Sequence, residues 1–139
     1  MSWQTSRLVE FQHCDPAGIV FYPRYFEMIN SVIEAFFREA IGYSFLPMHF
    51  RDHRGVPTVS IAVEFQTPSR LEDLLLFSLR VDRVGTSSLA LALSATVENT
   101  PRMSVQTTLV RIDLKDGTPA PWPDEIRAKL QQFQRRPHG

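Results

Sequence analysis

The sequence predicts an α+β fold: an antiparallel sheet of about five strands, one long helix near the start of the chain and a short helix at its end. Two observations carry this prediction. Between residues 56 and 114, apolar residues recur at every second position in segments separated by turn-forming clusters. That is the spacing of half-buried strands joined as antiparallel hairpins. Upstream of them, Tyr22, Tyr25, Phe26, Ile29, Ile33, Phe36, Phe37 and Ala40 recur at helical spacing, which gives a helix with one apolar stripe. A sheet of alternating strands needs one face covered, and this helix is the only long amphipathic element available.

The bulk properties agree with one ordinary domain over residues 1–139. Length argues for a single domain, and a hydrophobic fraction of 43% supports a core. With 15 basic and 15 acidic residues the net charge is zero, so no bulk field draws the chain to nucleic acid or a membrane. Arg127, Lys129, Arg135 and Arg136 make the last stretch basic and read as a solvated helix end and terminus. Cys14 is the single cysteine, which excludes an internal disulfide framework. The opening residues carry no apolar signal core and no run reaches transmembrane length. A cytoplasmic protein is expected.

In order along the chain, residues 3–11, which include Trp3, Leu8, Val9 and Phe11, read as a first strand. Asp15-Pro16 and Gly18 then signal a tight loop. Pro23 suits a first helical position, where its missing N–H costs nothing. The helix runs to about residue 40, with Glu34 and Arg38 as an i,i+4 pair and Gly42 as its stop. Residues 41–55 have no period and read as a long connection, of the kind that often carries function. Residues 56–66 alternate, with Val59, Ile61, Val63 and Phe65 on one face and Thr58, Ser60, Ala62 and Glu64 on the other. Residues 67–70 break the pattern. Strand 74–84 holds Leu75, Phe77, Leu79 and Val81 in phase, and Gly85-Thr86-Ser87 turns the chain. Strand 88–98 holds Leu89, Leu91, Leu93, Ala95 and Val97 in phase, Asn99-Thr100-Pro101 turns again, and residues 103–114 form the last strand. A short helix is expected over 124–134, started by Pro123, with Ile126, Leu130 and Phe133 on one side. There is no internal repeat and no low-complexity segment.

The chemistry concentrates where loop meets helix. Asp15 precedes the helix start by fewer than ten residues. A helix N-terminus offers unpaired N–H donors and a partial positive charge. A carboxylate beside such donors suits acyl chemistry, as nucleophile or as general base. Read alone, Asp15-Pro16 is equally a turn, and Tyr22 and Tyr25 on the apolar stripe are equally core. His13 and Cys14 suggest a cysteine hydrolase, but adjacent residues of an extended chain point to opposite sides, a poor arrangement for direct proton transfer. His49 and His53 are four apart with no third ligand in view. They read as surface histidines, and no metal is expected.

Residues 15–26, Asp-Pro-Ala-Gly-Ile-Val-Phe-Tyr-Pro-Arg-Tyr-Phe, resemble the signature loop and helix start of the 4-hydroxybenzoyl-CoA thioesterase family of hotdog-fold proteins. The resemblance extends more loosely over most of the chain. It implies a sheet wrapped around the long helix, and an acyl-CoA thioesterase without a metal or redox cofactor. The implied substrate is a CoA thioester with a small or aromatic acyl group. By the same resemblance Asp15 attacks the thioester carbonyl or activates water for that attack, and the Tyr22 backbone N–H polarises the carbonyl. Gly18 lets the loop turn beside the acyl group. Some relatives outside the aromatic-acyl branch have His where Tyr22 stands. Phe21, Tyr22, Tyr25 and Phe26 are the expected aromatic walls of the acyl pocket.

Four further positions are drawn in by the resemblance. Thr58 and Ser60 fall where, in hotdog dimers, the chain approaches the partner subunit's active loop, although exposed polar strand positions explain them equally well. Arg83 and Ser88 flank the turn where some family members hold the CoA phosphates with basic residues. The run Val84-Gly85-Thr86-Ser87 is not basic, which leaves Arg83 or Arg54 as the available cations. A homodimer or homotetramer is implied, and unpaired sheet edges argue the same way. Two other readings stand beside the enzyme. One is a non-catalytic acyl-CoA-binding hotdog protein, against which the intact Asp15 argues. The other is a hotdog hydratase, whose chemistry pairs an Asp with a His five residues on; Val20 stands there.

Overall fold

Strand alternation builds the larger layer. The computed structural model describes residues 2–134; Arg135 and Arg136 of the basic terminus lie outside the described residues. The strands are β1 (Trp3–Leu8), β2 (Arg54–Gly55), β3 (Thr58–Phe65), β4 (Leu74–Val84), β5 (Ser88–Val97), β6 (Thr100–Val110) and β7 (Ile112–Asp113). Five of them form one antiparallel sheet in the order β1-β4-β5-β6-β3, while β2 and β7 pair with each other. Leu75, Phe77, Leu79 and Val81 of β4, with Leu89, Leu91, Leu93 and Ala95 of β5, all face inward with at most 3% exposure. Met103, Val105, Thr107 and Leu109 of β6 extend the same buried face.

The helix expected to cover that face does so. α1 (Pro23–Ala35) buries Tyr25, Met28, Ile29, Val32 and Ile33 in one cluster with the sheet's inner residues. Its last turns widen into a π-helical segment, Phe36–Ile41, that ends at Gly42 with φ 76°. The wider turn buries the consecutive Phe36 and Phe37 together with Ile41, which a 3.6-residue period would spread around the helix. Trp122 stacks on Phe37 and Phe133 sits edge-on to Phe36. α3 (Asp124–Gln131) follows Trp122.

Several boundaries differ from the sequence reading, each for a local reason. β1 ends at Leu8, and Phe11–His13 form a short 3₁₀ turn. The stretch read as a long connection contains α2 (Phe45–Phe50), too short to show a period. The β5–β6 turn is Glu98-Asn99, both with positive φ (48° and 67°), the two-residue form favoured in hairpins. Thr100 and Pro101 therefore belong to β6. Pro101 is tolerated there because β3 reaches only to Met103 on that side. At the far end β6 stops at Val110, and the chain bends at Arg111 into β7.

β3 departs most. It lies at the sheet edge, and it is not half-buried: Val59, Ile61 and Phe65 are 60%, 39% and 45% exposed. A register shift between Thr58 and Ser60 also separates those two residues. Thr58 lies opposite inward-facing Leu109, whereas Ser60 lies opposite outward-facing Thr108. They do not share the polar face that simple alternation assigns them, because a bulge inserts one residue into the count.

Candidate active site

Residues 66–73 determine where the signature loop sits. β3 ends at one edge of the sheet and β4 begins three strands away, so this connection must cross the sheet's end. Arg102 holds it there, donating from Nη1 to the Pro68 carbonyl (2.7 Å) and to Asp73 Oδ2 (3.1 Å). The connection then grips the loop: Val20 N–H donates to the carbonyl of fully buried Ser69 (2.9 Å), and Ile19 bridges to Arg70.

Within the loop, Asp15 organises its own turn. Its N–H donates to the Ile19 carbonyl (3.0 Å), its carbonyl accepts from Gly18 N–H (3.0 Å), and its Oδ1 accepts from Ala17 N–H (2.8 Å). Gly18 has φ +80°, the left-handed region where a side chain would be strained. No donor among the described residues reaches Asp15 Oδ2. The carboxylate opens on a cavity of about 430 Å³ lined by Phe11, Cys14, Asp15, Pro16, Gly18 and Leu71. The sequence reading places neither Phe11 nor Leu71 at the site: it makes Phe11 the end of the first strand, and Leu71 follows the break at residues 67–70 outside any periodic run.

The helix start lies beside this loop. Phe21 N–H donates to the His13 carbonyl (2.9 Å), and Pro23 occupies the first helical turn. Arg24 N–H and Tyr25 N–H turn back to the carbonyls of Phe21 (2.8 Å) and Tyr22 (3.1 Å). Tyr22 N–H has no acceptor among the described residues. The Tyr22 side chain is not part of the buried stripe: at the N-cap it is 59% exposed, since it precedes the first packed turn. Tyr25 is buried at 5%, its ring 5.6 Å from that of Phe65, and Phe65 also meets Tyr22 edge-on at 6.2 Å. Phe26 packs against the core.

Asp15, Gly18, Tyr22 and Tyr25 thus gather at one end of the sheet, and the other expected residues do not join them. Thr58 and Ser60 lie at the opposite end of β3, beside Leu109 and Thr108. Arg83 and Ser88 lie at the β4–β5 turn, and the register pairs Ser88 with Val110. At roughly 3.3 Å per residue, β4 carries Arg83 about 30 Å from Leu74 at the Asp15 end. Arg83 is exposed. The Ser88 carbonyl accepts from Trp122 Nε1 (3.0 Å) and Gly85 N–H (2.9 Å). Arg127, read as a solvated helix residue, instead donates to the Gly85 and Thr86 carbonyls and braces the same turn. Lys129 pairs with Glu125 at 3.6 Å, as an exposed helix residue does.

That far end carries its own polar cluster. Tyr43 Oη donates to Asp52 Oδ2 (2.6 Å), and buried Arg111 donates to the Pro121 carbonyl (2.9 Å). Burial and then the Asp52 hydrogen bond push the Tyr43 hydroxyl above its usual range. Arg51 first, and then Tyr43, hold the Asp52 carboxyl well below the usual carboxylate range. Arg54 lies 3.5 Å from Asp113.

The His13 and His49 rings stand apart from the cleft. His13 Nδ1 accepts from Glu10 N–H (2.8 Å), and the ring lines a separate hollow with Arg7, Glu27 and Ser31, whereas Cys14 lines the Asp15 cavity. His49 Nδ1 lies 2.8 Å from the Phe45 carbonyl within α2. No group of three or more His, Cys, Asp or Glu suited to a metal occurs among the described residues, and no helix there is long and apolar enough to cross a membrane.

Known proteins share this fold. The chain is 27% identical over 139 residues to a 1,4-dihydroxy-2-naphthoyl-CoA hydrolase of Nostoc punctiforme, covering 100% of this chain and 93% of that one. A 1,4-dihydroxy-2-naphthoyl-CoA thioesterase from Synechocystis superposes with a TM-score of 0.84 at 19% identity, covering 94% of this chain and 96% of that one. A gentisyl-coenzyme A thioesterase superposes with a TM-score of 0.81 at 22% identity, covering 92% and 99%. The family model of the thioesterase-like superfamily matches residues 9–130. With a five-stranded antiparallel sheet wrapped around one helix, and a family match over nearly its whole length, the chain is a hotdog-fold member of the thioesterase-like superfamily.

Proposed function

We propose that the protein is an acyl-CoA thioesterase that hydrolyses a CoA thioester bearing an aromatic acyl group, with Asp15 at the reacting carbon. The observation that carries this reading is one carboxylate oxygen without a donor, in a cleft on the loop that leads to the unpaired Tyr22 N–H. The N–H suits the thioester oxygen, on which negative charge grows as the carbonyl is attacked. Asp15 then has two balanced routes. As nucleophile it bonds to the carbonyl carbon, the C–S bond breaks, and CoA leaves as a thiolate that takes a proton. Water afterwards cleaves the acyl–Asp15 anhydride. As general base it takes the proton of a water that attacks directly; the tetrahedral carbon then collapses with cleavage of the C–S bond, and the departing CoA thiolate takes that proton back from Asp15. Neither route calls for a redox group or a metal. The aromatic class is favoured because the similar proteins are named for naphthoyl and gentisyl thioesters.

The working unit is a homodimer, or a homotetramer built from two. β3 leaves an edge with exposed Val59, Ile61 and Phe65, and native proteins pair or cover such edges. In an antiparallel pair, directly opposed residues share a face. A two-fold that joins two β3 strands therefore passes between the two copies of one residue near the strand's middle, such as Ala62 or Val63. It sets the partner's Thr58 end beside this protomer's Phe65, Tyr22 and loop. Thr58 and Ser60 then approach a site they cannot reach within their own chain. Arg83 and Ser88 are left as candidates for the distal CoA contacts.

A thiol-release screen of the purified protein against aromatic, short-chain and long-chain acyl-CoAs tests the activity. The expected result is kcat/KM for benzoyl-type thioesters above that for palmitoyl-CoA. A higher value for palmitoyl-CoA would overturn the aromatic assignment. Acyl-CoA binding with no thiol release from any substrate would leave a binding protein instead.

A further inference from the structure

The cleft beside Asp15 is walled by residues of two connections that the chain brings together. Val9 N–H donates to the Asp73 carbonyl (2.9 Å), and Glu72 N–H donates to the Val9 carbonyl (2.8 Å). This staple holds Phe11, just after β1, and Leu71, just before β4, over the same cavity as the carboxylate. Phe11 is 82% exposed and Leu71 is 43% exposed. Opposite them, the space above Gly18 is open, with no atom within 4 Å of where a Cβ would stand.

We infer that Phe11 and Leu71 seat the acyl ring, and so set which thioesters the enzyme accepts; this rests on the thioesterase reading. The aromatics of the helix start do not line this cleft, although the sequence pointed to them. Tyr25 is committed to the core, and Tyr22 is engaged with Phe65. The rim is apolar and includes one aromatic face, which stacks favourably on a planar ring. A pantetheine arm fits it poorly, since its amides need hydrogen-bond partners that Phe11, Leu71 and Pro16 do not offer. A cavity of about 430 Å³ lies within the range of small-ligand sites. The carboxylate at its wall places the reacting carbonyl at the cleft and the CoA arm outside it.

The test compares benzoyl-CoA with acetyl-CoA on the wild type, Phe11→Ala, Leu71→Ala and Leu71→Trp. Removing one apolar wall of a pocket is worth roughly 10-fold or more in discrimination. Phe11→Ala and Leu71→Ala should therefore lower kcat/KM for benzoyl-CoA by roughly that factor, mainly through KM, and leave acetyl-CoA within about twofold. Leu71→Trp narrows the cleft and should exclude benzoyl-CoA while sparing acetyl-CoA. Far-ultraviolet circular dichroism and thermal melts establish that each variant is folded, as expected for exposed positions. Parallel losses on both substrates would place the pantetheine arm there and overturn the inference. An unchanged ratio in active protein would overturn it alone. A wild type that releases no thiol from either substrate would overturn the thioesterase reading, and this inference with it.

Discussion

The two ends of the sheet are built differently. At the far end, polar and aromatic groups are tied down: Trp122 donates to Ser88, Arg127 to Gly85 and Thr86, Arg111 to Pro121, and Tyr43 to Asp52. At the Asp15 end the backbone is equally well held, by Ser69 and Arg102, yet Phe11, Phe21, Tyr22, Phe65 and Leu71 stay partly in solvent. One carboxylate oxygen and one N–H there find no partner among the described residues. Buried groups of this kind are paired within a fold, whereas half-exposed ones such as these are left to water or to a ligand. The far end ties most of its polar side chains to one another, although Arg54 Nε and Arg111 Nε stay buried without a partner among the described residues and Leu46 and Phe50 of α2 stay exposed; the Asp15 end leaves its free groups beside an open cleft.

The largest expected effect isolates the Asp15 end. Asp15→Asn keeps the Ala17 hydrogen bond and removes the negative charge. It should lower kcat by 10²–10⁴-fold or more, with an unchanged melting temperature. Cys14→Ala, in the same cavity, should retain activity. Near wild-type kcat in Asp15→Asn, or lost activity in folded Cys14→Ala, would mean that the carboxylate is not the reactive group.

Next comes the edge. Ala62→Lys puts a charge on the exposed face of β3 where the sheets are proposed to join. Light scattering should then show monomers of about 16.0 kDa, with activity reduced by roughly tenfold or more. A wild type that is a fully active monomer at micromolar concentration would remove the partner from the site.

A far-end substitution should behave in the opposite way. Trp122→Ala removes a 3%-exposed ring that stacks on Phe37. It should cost about 3–5 kcal/mol in urea unfolding while leaving kcat of the folded protein within a few-fold. A kcat loss matching that of Asp15→Asn would show that the two ends are not separable. The smallest effect is expected from Thr58→Ala, a change of a few-fold in KM with no change in stability. Because Thr58 is remote from its own Asp15, any such change argues for a site completed across the seam. No change would leave Thr58 outside it.

How far the sequence could be read follows from how local each cause is. The in-phase residues of β4 and β5, the stripe of α1, and the stop at Gly42 were legible because burial on one face writes a period into the chain. Asp15, Gly18 and Pro23 were legible because a turn and a helix start have local chemistry. The exposure of β3 was not, since alternation records which face a residue takes and not whether anything covers it. Its bulge was equally hidden, and it moved Thr58 to the other face. Arg102, Ser69 and the paired walls Phe11 and Leu71 left no local mark, because each acts on residues far away in the chain.

By itself, then, the sequence determined the α+β class, the covering helix, and the loop that presents a carboxylate before a helix start. Period and turn chemistry are set by neighbours within a few positions. Only the tertiary structure decided that residues 66–73 cross the sheet's end to grip that loop, that Phe11 and Leu71 wall the cleft, and that Thr58 lies about 23 Å away along β3 while Arg83 and Ser88 lie about 30 Å away along β4 and β5. Those relations depend on strand order, here β1-β4-β5-β6-β3, and strand order follows from the free energy of burying the whole core rather than from any one segment.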